Sequence, residues 1–174
     1  MRLLIVYYSK TGFTKQYAQW LQEDLHGDCI PLPERGQVDF SSYDKVVFGS
    51  SVHAGRIRKW KWFREQLPRL QGKQVALFFT GAMPPEEETV AQCVAQNLTQ
   101  EERNAVRTFY LWSGLRYEAM GPVDRWMMGM FRKMLAAQKN PSPQDREAAR
   151  MVASSYDKTD RAFLKPLEDY LRER

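Results

Sequence analysis

Cysteine and histidine are scarce in this chain, with two of each among 174 residues. Cys29 and Cys93 lack the spacing of a metal site or a redox pair and lie in apolar stretches, so both are expected to be reduced core thiols. Without a Cys/His cluster no resident metal is expected, and no Ser-His-Asp order or isolated carboxylate pair offers acid–base machinery. Long apolar runs are missing too. No stretch approaches the ~20 residues of a membrane-spanning helix, and the chain opens on a strand pattern instead of a signal peptide. No lysine follows the first loop's glycine in the spacing that cradles a nucleoside triphosphate, and no G-x-G-x-x-G marks a dinucleotide site. A chain this poor in catalytic side chains, if it is an enzyme, depends on an organic cofactor.

What is present reads as one globular domain over residues 1–174, with 43% hydrophobic and 27% charged residues. Charge is the less ordinary property: 26 basic residues stand against 21 acidic ones, and the pI is about 9.2. The excess is local. Residues 54–73 hold Arg56, Arg58, Lys59, Lys61, Arg64, Arg69 and Lys73 against Glu65 alone. Such a patch suits an anionic partner: a membrane surface, a nucleic acid or an acidic metabolite. Trp60, Trp62 and Phe63 are interleaved with the basic residues. However, Ile57, Trp60, Phe63, Leu67 and Leu70 recur at helical spacing as a core stripe. Only Trp62 is left to stack on a base, so nucleic acid is not expected as a partner.

Strand signals fall at 2–8, 45–52, 74–80 and 108–115, with a weaker one at 28–31. Helical signals fall at 13–26, 57–67, 86–105 and 159–172. Continuous apolar strands alternating with helices predict a parallel sheet covered on both faces, with ligands at the carboxyl ends of its strands. The loops there are 9–14, 50–56 and 80–85. Residues 116–158 are a long insertion before the last helix. Within it Gly121-Pro122 starts a predicted helix with Val123, Trp126, Met127, Met130, Phe131, Met134 and Leu135 on one face. Asp124, Arg125, Arg132 and Lys133 lie opposite. This face serves either ordinary packing or contact with a membrane or partner. Asn140–Pro143 reads as a loop. The final helix carries Phe163, Leu164, Leu167, Tyr170 and Leu171 on one face, is capped by Thr159 or Asp160, and is expected to kink at Pro166.

The first loop is the richest in chemistry. Ser9, Lys10, Thr11, Gly12, Phe13 and Thr14 follow a buried strand and open a helix. Hydroxyls, backbone N–H groups and a helix N-terminus can converge there on a single terminal phosphate. The alternative is a turn in which Thr11 or Thr14 merely caps the helix. Ser51, Val52, His53, Ala54 and Gly55 end the second strand in small residues that let a flat ring approach, with His53 and Arg56 near it. Thr80, Gly81, Ala82 and Met83 would face the ring's other side, stiffened by Pro84 and Pro85.

The pattern Ser-x-Thr-Gly-x-Thr after an N-terminal strand resembles the FMN-phosphate loop of flavodoxins. Val46–Val52 with Gly55 resembles the family's second loop. Gly114-Leu115-Arg116-Tyr117, then Asp124-Arg125, a Met-rich helix and Lys133-Met134, resemble the extra segment of one flavodoxin-like branch, the menaquinone-dependent protoporphyrinogen dehydrogenases. Ala54 stands where members can carry an aromatic, and the third loop matches less well. The resemblance implies a flavodoxin-like α/β fold, a doubly wound parallel five-stranded sheet of order 2-1-3-4-5 with a helical insertion after the fifth strand. It implies FMN held by residues 9–14 and flanked by 51–55 and 80–83, with no catalytic group beyond the flavin. Electrons would pass from a reduced tetrapyrrole or related donor to a quinone or a redox protein. Arg116, Tyr117, Arg125, Trp126 and Met130 would meet substrate or lipid. The expected location is cytoplasmic, peripheral on the inner face of the membrane. Two other readings stay open: an electron carrier for a protein partner, and a flavin-free binding module.

Overall fold

The apolar run near the N-terminus forms β1 (Leu3–Tyr7) and leads through the glycine at 12 into α1 (Phe13–Leu25) and β2 (Asp28–Pro31). The structure, a computed structural model, describes residues 1–32 and 38–173. It continues with β3 (Lys45–His53), β4 (Arg56–Ile57), α2 (Trp60–Arg64), β5 (Gln74–Gly81), α3 (Glu87–Asn97), α4 (Gln100–Ala105) and β6 (Arg107–Trp112). The insertion is β7 (Gly114–Leu115), α5 (Pro122–Ala136), α6 (Pro143–Met151) and β8 (Tyr156–Asp157), and α7 (Lys165–Arg172) closes the chain. The main strands are parallel in the order β2-β1-β3-β5-β6, with β4 a short antiparallel hairpin partner of β3. With that hairpin set aside, the order is the predicted 2-1-3-4-5.

Strand alternation explains the two core layers. Leu4, Val6, Phe48, Leu77 and Phe79 point to one face, where Trp60 and Phe63 cover them. Ile5, Val47, Ala76 and Phe78 point to the other, under Tyr17, Leu21, Leu164, Leu167 and Leu171. Both faces are dry, so the middle of each central strand, Leu3–Val6, Val46–Phe48 and Val75–Phe79, is apolar at successive positions. Gly49 exists because Phe78 crosses it: a Cβ there would lie 2.2 Å from Phe78 Cζ.

Several boundaries differ from expectation for local reasons. The helix expected over 57–67 is α2 followed by a 3₁₀ turn, Leu67–Leu70, because Ile57 belongs to the hairpin. Ala54 and Gly55 both have positive φ, 48° and 74°, the geometry of a tight two-residue hairpin turn. The 86–105 segment splits at Leu98, and Thr99 with Glu102 forms a capping box that starts α4. The fifth strand stops at Ser113, and Gly114-Leu115 pairs with β8 instead. Pro166 is the second residue of α7 and starts that helix without kinking it. After the loop at 140–142, an unforeseen helix, α6, begins on a capping box of Ser142 and Asp145. Cys29 and Cys93 are free thiols but half-buried, at the edges of the core layers. Trp62 packs 5.6 Å from Phe48, so it belongs to the core like its neighbours. Among the described residues no helix is long and apolar enough to cross a membrane.

The insertion has its own small core of Leu115, Leu135 and Val152, against which Ala82, Tyr117, Met120 and Met128 pack. Little of the predicted α5 stripe reaches it. Val123, Trp126, Met130, Phe131 and Met134 are all exposed.

Candidate functional site

At the carboxyl end of β1 the chain turns through Gly12, whose φ of 96° makes it a left-handed N-cap of α1. Gly12 N–H donates to Ser9 Oγ at 3.2 Å, and no side chain among the described residues caps the helix. The first-turn N–H groups, at the positive end of the helix dipole, are therefore left to an outside acceptor. Thr14 is buried, and its Oγ1 lies 3.0 Å from Thr80 Oγ1, which in turn reaches Ser50 O at 3.4 Å. That chain of hydroxyls ties the ends of β3 and β5 to the start of α1. Ser9 and Thr11 remain partly exposed, while Phe13 is buried. Lys10 leans out of the loop to Asp124, 3.5 Å away.

The second loop is the β3–β4 hairpin, with His53 at its last paired position opposite Arg56. Ser51 O accepts from Arg58 N–H at 2.9 Å, and Val52 pairs with Ile57. Asn97, buried at the end of α3, holds the turn: its Nδ2 donates to Gly55 O at 2.8 Å and its Oδ1 accepts from Ile57 N–H at 2.9 Å. Arg56 is directed away, to Gln96 O. Arg58 takes the place foreseen for it, reaching Asp124 Oδ1 at 3.4 Å beside His53 Nε2 at 3.0 Å.

Asp124, in the first turn of α5, thus meets groups from the first loop and from the β3–β4 hairpin. Burial pushes its carboxyl up, but Lys10, Arg58 and His53 outweigh that and hold it below the usual carboxylate range.

The third loop is held through its carbonyls. Gly81 O accepts from Ser113 N–H and Oγ–H, both at 2.9 Å. Ala82 O accepts from Trp112 Nε1–H at 3.0 Å and from Tyr156 O–H at 2.6 Å. Met83 O accepts from Tyr110 O–H at 2.6 Å, and the Met83 side chain is exposed. Burial pushes the Tyr156 phenol up to about 12 and that of Tyr110 higher still, so both stay neutral donors.

The five residues expected to meet substrate or lipid divide into three groups. Arg116 lies on the first loop: its Nη1 donates to Thr11 O at 3.0 Å, and its guanidinium sits 4.3 Å from the Phe13 ring centroid. Tyr117 and Arg125 brace the insertion, with Tyr117 O–H donating to Val152 O at 2.5 Å and Arg125 Nε to Tyr117 O at 2.9 Å. Trp126 and Met130 stand on the open face of α5. Asp124, Arg58, Asn97 and Tyr156 shape the site although none was expected as a site residue; Asp124 entered only through the polar side of its helix and the resembling motif, and Arg58 only through the basic patch. A carboxylate on the polar side of a basic helix carries no signal of the loops it will meet.

Among solved structures the chain is similar to a flavoprotein of Lactobacillus acidophilus NCFM in complex with FMN, with 17% identity and a TM-score of 0.45. That match covers 64% of this chain and 91% of the other. It is also similar to oxidised Flavodoxin 2 from Bacillus cereus, with 19% identity, a TM-score of 0.44, and coverage of 75% and 94%. No curated protein matches it. A family model described as Flavodoxin domain matches residues 4–142, from β1 through all three loops and α5, and the chain belongs to the flavodoxin-domain family.

Proposed function

We propose that this protein is an FMN-dependent oxidoreductase that takes electrons from a reduced donor and delivers them to a quinone at an anionic membrane surface. The loop geometry suits the cofactor. α1 starts uncapped at a left-handed glycine, so its N–H groups and the hydroxyls of Ser9 and Thr11 can receive one terminal phosphate. Gly12 has a φ of 96°, a left-handed conformation that an L side chain adopts only with strain, so the cradle favours glycine there. When bound, FMN supplies the redox chemistry at its isoalloxazine ring, and no catalytic side chain is needed beside it.

The residues of the chain then have three tasks. Loop 9–14 grips the phosphate, and the hairpin at 51–55 and the turn at 80–83 flank the ring. Lys10 and Arg58 form an electropositive rim beside His53, and Asp124 partly neutralises it. Such a rim favours negative charge on the ring after reduction.

One observation carries the membrane half of the reading: the helix that plants Asp124 among these loops also presents a broad uncovered apolar face. Val123, Trp126 and Met134 are 68%, 67% and 57% exposed. Arg125, Arg132 and Lys133 accompany them on α5, the composition of a helix that lies in the headgroup layer. Its proximity to the ring site would bring a lipid-dissolved quinone close. The donor best matched to a basic rim and an apolar helix is an apolar molecule bearing carboxylates, and protoporphyrinogen in haem synthesis is the specific candidate.

The purified protein should be yellow, or take up added FMN stoichiometrically; failure of both removes every redox reading. It should float with vesicles containing anionic lipid and oxidise protoporphyrinogen with a quinone, and Trp126→Ser with Met130→Ser should abolish flotation. A membrane-indifferent protein without that turnover, yet reduced by a ferredoxin-type reductase, would be a carrier instead.

A further inference from the structure

We propose that Arg116 supplies the positive charge for the cofactor phosphate and thereby makes the site select FMN over riboflavin; this rests on the FMN reading above. The first loop has one cation of its own, Lys10, and that side chain is turned onto Asp124. A terminal phosphate carries close to two negative charges near neutrality. A cation beside the loop would add to what its helix-terminal N–H groups and hydroxyls supply.

Arg116 arrives from the start of the insertion, 105 positions after Thr11 in sequence. Three contacts place its guanidinium on the loop: Nη1 donates to Thr11 O at 3.0 Å, the group lies over the Phe13 ring, and Nη1 comes within 2.9 Å of where a Cβ on Gly12 would stand. Its other terminal nitrogen is 3.4 Å from Asp157 Oδ2. The side chain is 32% exposed, so it is held in position yet open to a ligand. A planar guanidinium with unused N–H donors is suited to phosphate oxygens. The contact with Thr11 also fixes the loop backbone whose N–H groups complete the cradle. Asp157 is bound in turn by Thr159, whose N–H and Oγ–H both reach Oδ1. β8 is thereby made part of the phosphate site at a distance.

The test uses the full chain stripped of flavin, titrated separately with FMN and with riboflavin by quenching of flavin fluorescence. Arg116→Gln should weaken FMN about tenfold, the effect of one charge-assisted contact discounted for partial exposure, and riboflavin less than threefold. The FMN affinity of the wild type should fall with added salt more steeply than that of the variant. Asp157→Asn, which keeps an oxygen for Thr159 but removes the competing charge, should tighten FMN about two- to threefold and leave riboflavin unchanged. A residue that only braces the loop would give the opposite: equal losses for both flavins in Arg116→Gln, and weaker FMN binding in Asp157→Asn. Either of those results overturns the proposal while leaving the FMN reading intact. A wild type that binds neither flavin overturns the FMN reading itself.

Discussion

Replacing Asp124 with Asn should measurably destabilise the protein, and the loss should disappear in acid. The Asp124 side chain is 14% exposed and faces Arg58 at 3.4 Å, His53 at 3.0 Å and Lys10 at 3.5 Å. The substitution keeps the shape and an acceptor but removes the one negative charge among the three. Arg58 is the best shielded partner, and Lys10 is mostly in water. A charge-assisted contact shielded like that of Arg58 contributes roughly 1.5–3 kcal/mol, and an exposed one under ~1. A net cost of about 2 kcal/mol follows, or ~4–8 °C in Tm for a chain of this size. The sign of the pH dependence is set by the depressed carboxyl of Asp124. A group whose folded pKa lies below its unfolded one stabilises fully above the unfolded value and loses that contribution as pH falls through the folded one. Wild type and Asp124→Asn should therefore differ at neutral pH and converge on the acid side of the carboxylate range. Thermal melts followed by circular dichroism across a pH series, at matched flavin occupancy, measure this. Equal melting at neutral pH, or a gap that persists undiminished in acid, would refute the assignment of Asp124 as the centre of the cluster.

Tyr17→Phe should cost about 1–3 kcal/mol by urea denaturation. Its hydroxyl donates to Trp112 O at 2.5 Å and accepts from Asp160 N–H at 3.2 Å, joining α1 to β6 and to the entry of the last helices. Gly49→Ala should cost about 2 kcal/mol, read as a lower urea midpoint, because the new methyl meets the Phe78 ring inside a fully packed layer. Asn97→Ala removes both contacts that hold the hairpin turn. Hydrogen exchange at the Ile57 amide should accelerate well beyond any change at Val47, and unchanged exchange there would mean the turn holds itself.

The sheet was legible because it is buried on both faces. Runs such as Val46-Val47-Phe48 and Val75–Phe79 can satisfy themselves only as central strands, and β2, despite its weaker signal, has the predicted bounds. Terminal signals were legible where they are chemical, as at Gly121-Pro122, which starts α5. What failed was continuity. Ile57 fits a helical stripe with Trp60 and Phe63, yet Ala54 and Gly55 at positive φ turn the chain back first, and nothing local marks Ala54 for that conformation. The first loop was legible as a hydroxyl-rich strand-to-helix turn, but the partners of its hydroxyls were not. Thr14 looks like a ligand in sequence and is bonded to Thr80, a partner 66 residues away. The same distance problem hid the loops that Asp124 meets, and it parts Arg116, on the first loop, from Arg125, which braces the insertion.

The charges around the first loop share a physical origin. The loop's own cation, Lys10, is turned onto Asp124, and a side chain at Gly12 is disfavoured by its positive φ. Further charge reaches the loop from elsewhere in the chain. Here the insertion brings both signs: Arg116 before α5 approaches Thr11, and Asp124 inside α5 draws Lys10 away. Any movement of α5, such as burial of Trp126 and Met134 in another phase, would disturb the Asp124 cluster and with it the charge beside both loops. On the proposed function, the seating of α5 on lipid and the electrostatics of the candidate cofactor site are therefore coupled through Asp124. A flavin whose absorbance or potential shifts on adding anionic vesicles in wild type, but not in Asp124→Asn, is the signature that coupling predicts.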